Sequence, residues 1–424
     1  MTYDQLTASS KLGRMRFSLV SFLACAAAFT SSWTATALGG FNVVDYLLLA
    51  AAVALVVSWV CRRRRVFIST WMLAPVFASV VVTAFSAVIA GDSSSPATDL
   101  VRVMMSTTVV AVLLTSVADT SGRPALRQVL GWWAAGVAVS SLASGGVSLG
   151  VLNFSGLLVQ PTGLRLSGLS SHPNSIAFSV TMALPVVLYL ASSAKSRLLA
   201  LCWVAAFGVS IWGLVLADSR SGLLVAIPSV AVALVLSLVQ SRLRLLAAPI
   251  LVVAGVLAAA VVPDAVSETR LIQGSAQSDA GRVVYNDDAL RTFAESPIFG
   301  GGFAAQSGVA VPLMVLSAGG FVLAIGYYLF VMYPLPAMWR SRRDRMAQTG
   351  ILSVMVFLAF GLLNPVFAER ATFWPALVAF TWVTFATAPR RVEPFSERAL
   401  LTGGNTLPRT LRASPARTSR SVTL

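Results

Sequence analysis

Three stretches of the chain hold residue types able to grip an anion. The first runs Arg165-Leu166-Ser167-Gly168-Leu169-Ser170-Ser171-His172-Pro173-Asn174 and the second Asp218-Ser219-Arg220-Ser221-Gly222. The third begins at Arg282 and closes with Ser296-Pro297-Ile298-Phe299-Gly300-Gly301-Gly302. A guanidinium offers a planar fork of donors that meets phosphate bidentately and stays charged. Arg165, Arg220 and Arg282 brought together would therefore suit a phosphate or pyrophosphate. Pro173 fits the first turn of a helix, which places Asn174 near a positive helix end. Plainer readings compete with these. Short turns need Asp, Ser and Gly anyway, and Asp218 with Arg220 can be a neighbour pair in a solvated turn. The triple glycine is no nucleotide loop, since neither a preceding strand nor a following Lys-Ser/Thr accompanies it.

The elements that must position these residues are membrane spans. Apolar residues make up 57% of the 424 and charged residues 11%, where a soluble domain carries about 25% charge. That excludes a soluble enzyme, a disordered protein and a secreted disulfide scaffold. Cys25, Cys61 and Cys202 lie far apart in or beside apolar runs, and the single histidine rules out a His-rich metal site. A membrane helix needs about 20 apolar residues. Twelve such segments can be laid down, near 17–37, 41–61, 66–90, 100–118, 128–149, 173–193, 198–217, 221–239, 245–263, 309–335, 349–367 and 371–388.

With both termini cytoplasmic, every basic cluster falls on the inner face, as the positive-inside rule requires. Of the 31 cationic residues only Arg102, Arg165, Arg220, Arg270, Arg282, Arg291 and Arg370 then face outward. The net charge of +15 is thus mostly topology, not a sign of nucleic acid binding. The expected architecture is an all-α, multi-pass transmembrane domain over residues 1–388, with outer loops at 150–172 and 264–308. A disordered, basic cytoplasmic tail follows at 389–424, too poor in large apolar residues to order itself. No Gly/Pro-broken pair of spans stands out.

Within the second loop, Gly281 to Glu295 is amphipathic at helical spacing, and Asp287 and Arg291 at i,i+4 support an interfacial helix. A solvated face is the plainer reading of Asp287, Asp288 and Glu295. Arginines at the outer membrane boundary beside polar loops point to a lipid-linked pyrophosphate.

The order and spacing of Arg165-x-x-Gly168-x-x-x-His172-Pro173-Asn174, Ser219-Arg220-Ser221-Gly222, Arg282 and Ser296-Pro297-Ile298-Phe299-Gly300-x-Gly302 resemble the O-antigen ligase/polymerase family. The resemblance covers about residues 130–335. It implies a class C-type glycosyltransferase fold of about twelve helices, with the large outer loop before the tenth, in the plasma membrane. It implies a glycan donor on undecaprenyl pyrophosphate, a glycan or lipid-glycan acceptor, and neither cofactor nor metal. Arg220 and Arg282 take the pyrophosphate-binding roles, Arg165 is a third candidate, and His172 is structural. Family ligases typically carry a histidine late in the large loop to activate the acceptor. Residues 304–312 have none, so the resemblance leaves the base open among carboxylates such as Asp218, Asp279 and Glu295. A transporter or flippase of lipid-linked oligosaccharide is the competing function. It should place ionisable residues at mid-span, and this sequence places few there.

Overall fold

The computed structural model describes residues 18–35, 37–38, 41–62, 70–89, 101–152, 165–240, 276–302, 309–367 and 369–387. They are mostly helical. In order come α1 (Leu19–Thr30), two-residue strands β1 (Ala37–Leu38) and β2 (Phe41–Asn42), α2 (Val43–Arg62) and α3 (Thr70–Ile89). A π-helical turn (Met105–Val109) leads into α4 (Val110–Ser148), then α5 (Pro173–Ser192), α6 (Arg197–Leu216) and α7 (Arg220–Gln240). The chain continues through α8 (Ala276–Glu295), α9 (Val311–Met332), α10 (Pro334–Arg340), α11 (Arg345–Gly361) and α12 (Trp374–Thr387). Among the described residues five helices are long and apolar enough to cross a membrane, and five shorter apolar helices accompany them. The expected ninth span (245–263) and the tail (389–424) lie outside the described residues.

Three features depart from the sequence expectation. The segments at 100–118 and 128–149 are not separated by a loop: helix runs from Val101 to Ser148, broken only at Gly122 (φ 73°, ψ −176°). Unbroken, 48 residues would reach about 72 Å, more than twice a bilayer core of about 30 Å. Gly122 ends one run in the left-handed region and Pro124 sits just inside the next, so no further connector is needed. Arg123 and Arg127 are therefore helical. Second, β1 and β2 form a small antiparallel hairpin pairing Ala37 with Asn42 and Leu38 with Phe41. Third, α9 is broken at Gly319 and Gly320, about 12 Å in from its start at 1.5 Å per residue.

That break is filled by the chain itself. Backbone N–H groups of Gly301 and Gly302 donate to the carbonyls of Ser317 and Ala318, each at 2.8 Å. In return Phe321 and Val322 donate to Pro297 and Ile298, at 2.9 and 3.2 Å. The Pro297–Gly302 motif is thus a plug that satisfies backbone groups a broken helix would leave bare. Phe293 of α8 packs edge-on against Phe321 of α9 at 5.4 Å, seating α8 beside the plug. Gly319 and Gly326, seven residues apart, face α3, where a Cβ would strike Thr83 and Ser79.

The two ends of the bundle hold different chemistry. At one end Arg123 Nε donates to the Trp382 carbonyl (3.2 Å), Trp382 Nε1 to Asp344 (3.0 Å) and Arg127 to Ser193 Oγ (2.9 Å). Arg123 and Arg127 are among the cations that the charge rule groups on one face. The opposite end carries Asp45, Arg165, Asn174, Ser219, Arg282 and Arg370. Here Arg370 and Asp45 form a bidentate pair at 2.8 and 3.0 Å with side chains 8% and 4% exposed. Asp45 Oδ2 also accepts from the Asn42 N–H at 2.9 Å. Removing one member of such a pair strands a buried charge, at a cost of ~3–5 kcal/mol. Asp45→Leu should therefore lower the melting temperature in detergent sharply, whereas Asp45→Leu with Arg370→Met should recover most of the loss. A thermal scan of the three variants reads this directly.

Helix α5 sits at the centre, packed against α4, α6, α7 and α11. Its apolar window is 78% buried, against 17% for α6.

Candidate functional site

The site is built on two helix starts. His172 caps α5: its Nδ1 accepts the Asn174 N–H at 3.0 Å, and Pro173 takes the first helical position. Ser219 caps α7, its Oγ accepting from the Gly222 N–H at 3.3 Å and its carbonyl from Leu223 N–H at 3.0 Å. Asp218 precedes it at φ 42°, the one non-glycine residue in the left-handed region among those described. Gly168 also needs that region (φ 59°), and a Cβ there would run into the Ser140 carbonyl. The Ser140 hydroxyl in turn accepts the Leu169 N–H at 3.0 Å. The loop carrying the first motif is therefore pressed flat against α4. Leu166 N–H donates to the Leu216 carbonyl at 3.1 Å, which lays Arg165 along the end of α6.

Three motif stretches then meet through two asparagines. Arg165 donates through Nε to the Ala217 carbonyl (2.9 Å) and through its terminal nitrogen to Asn174 Oδ1 (2.8 Å). Asn174 Oδ1 also accepts from Ser219 Oγ (3.2 Å), while Asn174 Nδ2 donates to Asn364 Oδ1 (3.0 Å). Arg282 donates to that same Asn364 oxygen at 3.4 Å, and Asn364 Nδ2 donates to Ser221 Oγ. Ser221 and Ser219 hydroxyls are 3.2 Å apart. Between them in sequence stands Arg220, half-buried at the first position of α7.

Each asparagine thus accepts from an arginine and donates onward. Amide and peptide oxygens fix the orientation of Arg165, and an amide oxygen that of Arg282. Two helix N-termini and three arginines consequently concentrate positive potential at one end of the bundle, an arrangement suited to an anion.

Asn364 is the residue that sequence reasoning missed. It is fully buried, in the connection between α11 and α12, and joins the second and third motifs to the first. An Asn-Pro step closing an apolar run was the available signal. The structure does not bring Glu295 to this cluster. It is exposed at the far end of α8, about 20 Å along the helix axis from Arg282. Asp279 has its side chain outside the described residues. Asp218 adjoins the cluster on the α6–α7 turn. Arg291 pairs not with Asp287 but with Asp288, one residue nearer, at 2.7 Å on the exposed face. Pro297, Gly300 and Gly302 do not approach the arginines as ligands; they form the plug in α9.

His172 gives the site a pH dependence. Loss of water around the ring, and then the nearby positive charge of Arg165, lower its pKa below the ordinary 6.5. The fold favours the neutral ring, which alone can accept the Asn174 N–H. The stabilisation is present at neutral pH and is lost as pH falls below about 6.5 through the lowered native value. His172→Asn keeps a capping acceptor that does not titrate. Melting temperature between pH 7.5 and 5 should fall more steeply in the wild type than in His172→Asn.

Residues 205–317 match the model of a family described as O-antigen ligase, which takes in the second and third motifs. The resemblance read from the motifs holds over that stretch. No curated protein matches the chain. The apolar helices mark an integral membrane protein, and the matched stretch is similar to a glycan-transferring family.

Proposed function

We propose that the chain is a membrane glycosyltransferase of surface polysaccharide assembly, taking glycan from an undecaprenyl-pyrophosphate donor at the extracytoplasmic face. The observation that carries this reading is the junction of Arg165, Arg282 and the Ser219–Arg220–Ser221 turn through Asn174 and Asn364. In the reaction an acceptor hydroxyl, on a growing glycan or a lipid-glycan, attacks the anomeric carbon. The bond to the pyrophosphate oxygen breaks, and lipid pyrophosphate departs with the electron pair. Negative charge grows on that leaving oxygen. Fixed guanidinium groups stabilise it with little reorganisation, usually the largest contribution an enzyme makes. No metal is required, because the arginines take the charge a cation would otherwise neutralise.

Both termini are cytoplasmic in this reading, which puts the arginine end outside, where the lipid-linked glycan is presented. The test is transfer by the full chain reconstituted in liposomes, supplied with lipid-linked glycan extracted from a strain lacking the gene. Longer lipid-linked glycan means polymerase, and glycan moved onto a separate lipid-glycan means ligase. Movement of donor between leaflets without any new glycosidic bond would make the protein a flippase and overturn the proposal.

A further inference from the structure

The acceptor hydroxyl must lose a proton as it attacks. We infer that Glu369 is the base. This rests on the transferase reading above and deepens it.

Among the described residues three carboxylates are candidates at this end of the bundle: Asp45, Asp218 and Glu369. Asp45 is occupied, since both its oxygens bond Arg370 and its side chain is 4% exposed. Asp218 stands on the turn that bears Arg220, so it lies on the leaving-group side, where a carboxylate repels the departing pyrophosphate. Glu369 approaches from elsewhere, on the α11–α12 connection. Its Oε1 accepts the Ser175 hydroxyl at 2.6 Å. Ser175 is the residue after Asn174 on α5, so Glu369 is set one residue along from the pyrophosphate-side network.

A displacement needs its base on the side of the sugar ring away from the leaving group. Ser175 fixes one oxygen of Glu369. The other has no partner among the described residues, and the side chain is half-buried, not sealed. Buried Arg370 beside it is neutralised by Asp45, which leaves the Glu369 carboxylate available to take a proton.

The step balances without a further reagent. The acceptor O–H proton passes to the free oxygen of Glu369 as the new O–C1 bond forms. The C1–O bond to pyrophosphate breaks and its electrons leave with the lipid pyrophosphate, whose charge the arginines meet. Glu369 then releases the proton to water.

Glu369→Gln keeps the size and an oxygen for Ser175 but cannot accept the proton. With the full chain in liposomes and the extracted lipid-linked donor, turnover should fall at least ~100-fold, the lower range for general-base catalysis. Affinity for undecaprenyl pyrophosphate should stay within about threefold. Azide needs no deprotonation, so glycosyl azide should form at the wild-type rate in Glu369→Gln. The acidic limb of the wild-type pH–turnover profile should vanish with azide as acceptor.

Near-normal turnover in Glu369→Gln overturns the assignment, as does a loss that azide does not restore. An azide-restored loss in Asp218→Asn with Glu369→Gln active moves the role to Asp218. In each of these cases wild-type transfer leaves the transferase reading standing, whereas absence of transfer by the wild type removes both.

Discussion

Arg220→Ala should abolish glycan transfer while leaving the protein inserted and folded. Arg220 is half-buried at the start of α7 between two serines of the cluster. At that position a guanidinium adds to the helix dipole, and in the proposed reaction its charge counts most when the pyrophosphate leaves. Losing one donor to a developing oxyanion costs ~3–4 kcal/mol, or about 10²–10³ in turnover. Arg220→Lys keeps the charge but not the fork, so it should retain only a small fraction of activity. Arg291→Ala is the contrast. Its side chain is 72% exposed and pairs with Asp288 on the solvent face of α8, a contact worth ~0–1 kcal/mol. Transfer from purified lipid-linked donor, normalised to enzyme in the membrane, decides the matter. Wild-type turnover in Arg220→Ala would remove this arginine from the pyrophosphate site.

Gly320→Val should be severely damaging. Gly320 has φ 58°, and a Cβ there would meet the carbonyls of Ile298 and Pro297. The side chain would therefore drive the plug out of the break in α9. Four cross-segment backbone hydrogen bonds would go with it, each leaving buried groups unsatisfied at ~1–3 kcal/mol apiece. A total above ~4 kcal/mol is expected, enough to deplete the protein from membranes. Gly208→Ala serves as the counterpart. Gly208 lies mid-α6 with nothing near its missing Cβ, so alanine should be neutral or stabilise by ~0.5–1 kcal/mol. Membrane abundance and melting temperature of the two variants provide the measurement. Normal levels of Gly320→Val would mean that the plug contributes little.

Sequence periodicity reveals local things well. The apolar runs, the helix over 281–295 and the helix start at Pro173 were legible because each depends on neighbours within a few residues. What was hidden depends on partners far apart along the chain. Asp45 and Arg370 are 325 residues apart, and neither has a local pattern announcing the other. Asn364 looks like the polar end of an apolar run until Asn174, Arg282 and Ser221 are placed around it. Gly319 and Gly320 read as small residues in a span, because the loop that fills the break lies about twenty positions upstream. Glu295 looked near the site since it is close to Arg282 in number, yet a straight helix carries it to the other end.

The contrast between α5 and α6 has a consequence for descent. α5 is enclosed by four helices and carries Asn174 and Ser175 at its head. α6 leaves most of its surface exposed. As lineages diverge, α6 should wander freely among Leu, Val, Ile and Phe, preserving little beyond its greasiness. α5 can change only when a neighbour changes with it. Ancestry recorded in this protein therefore accumulates quickly on one helix and slowly on the helix beside it, so relatives compared over α6 alone would look more distant than they are.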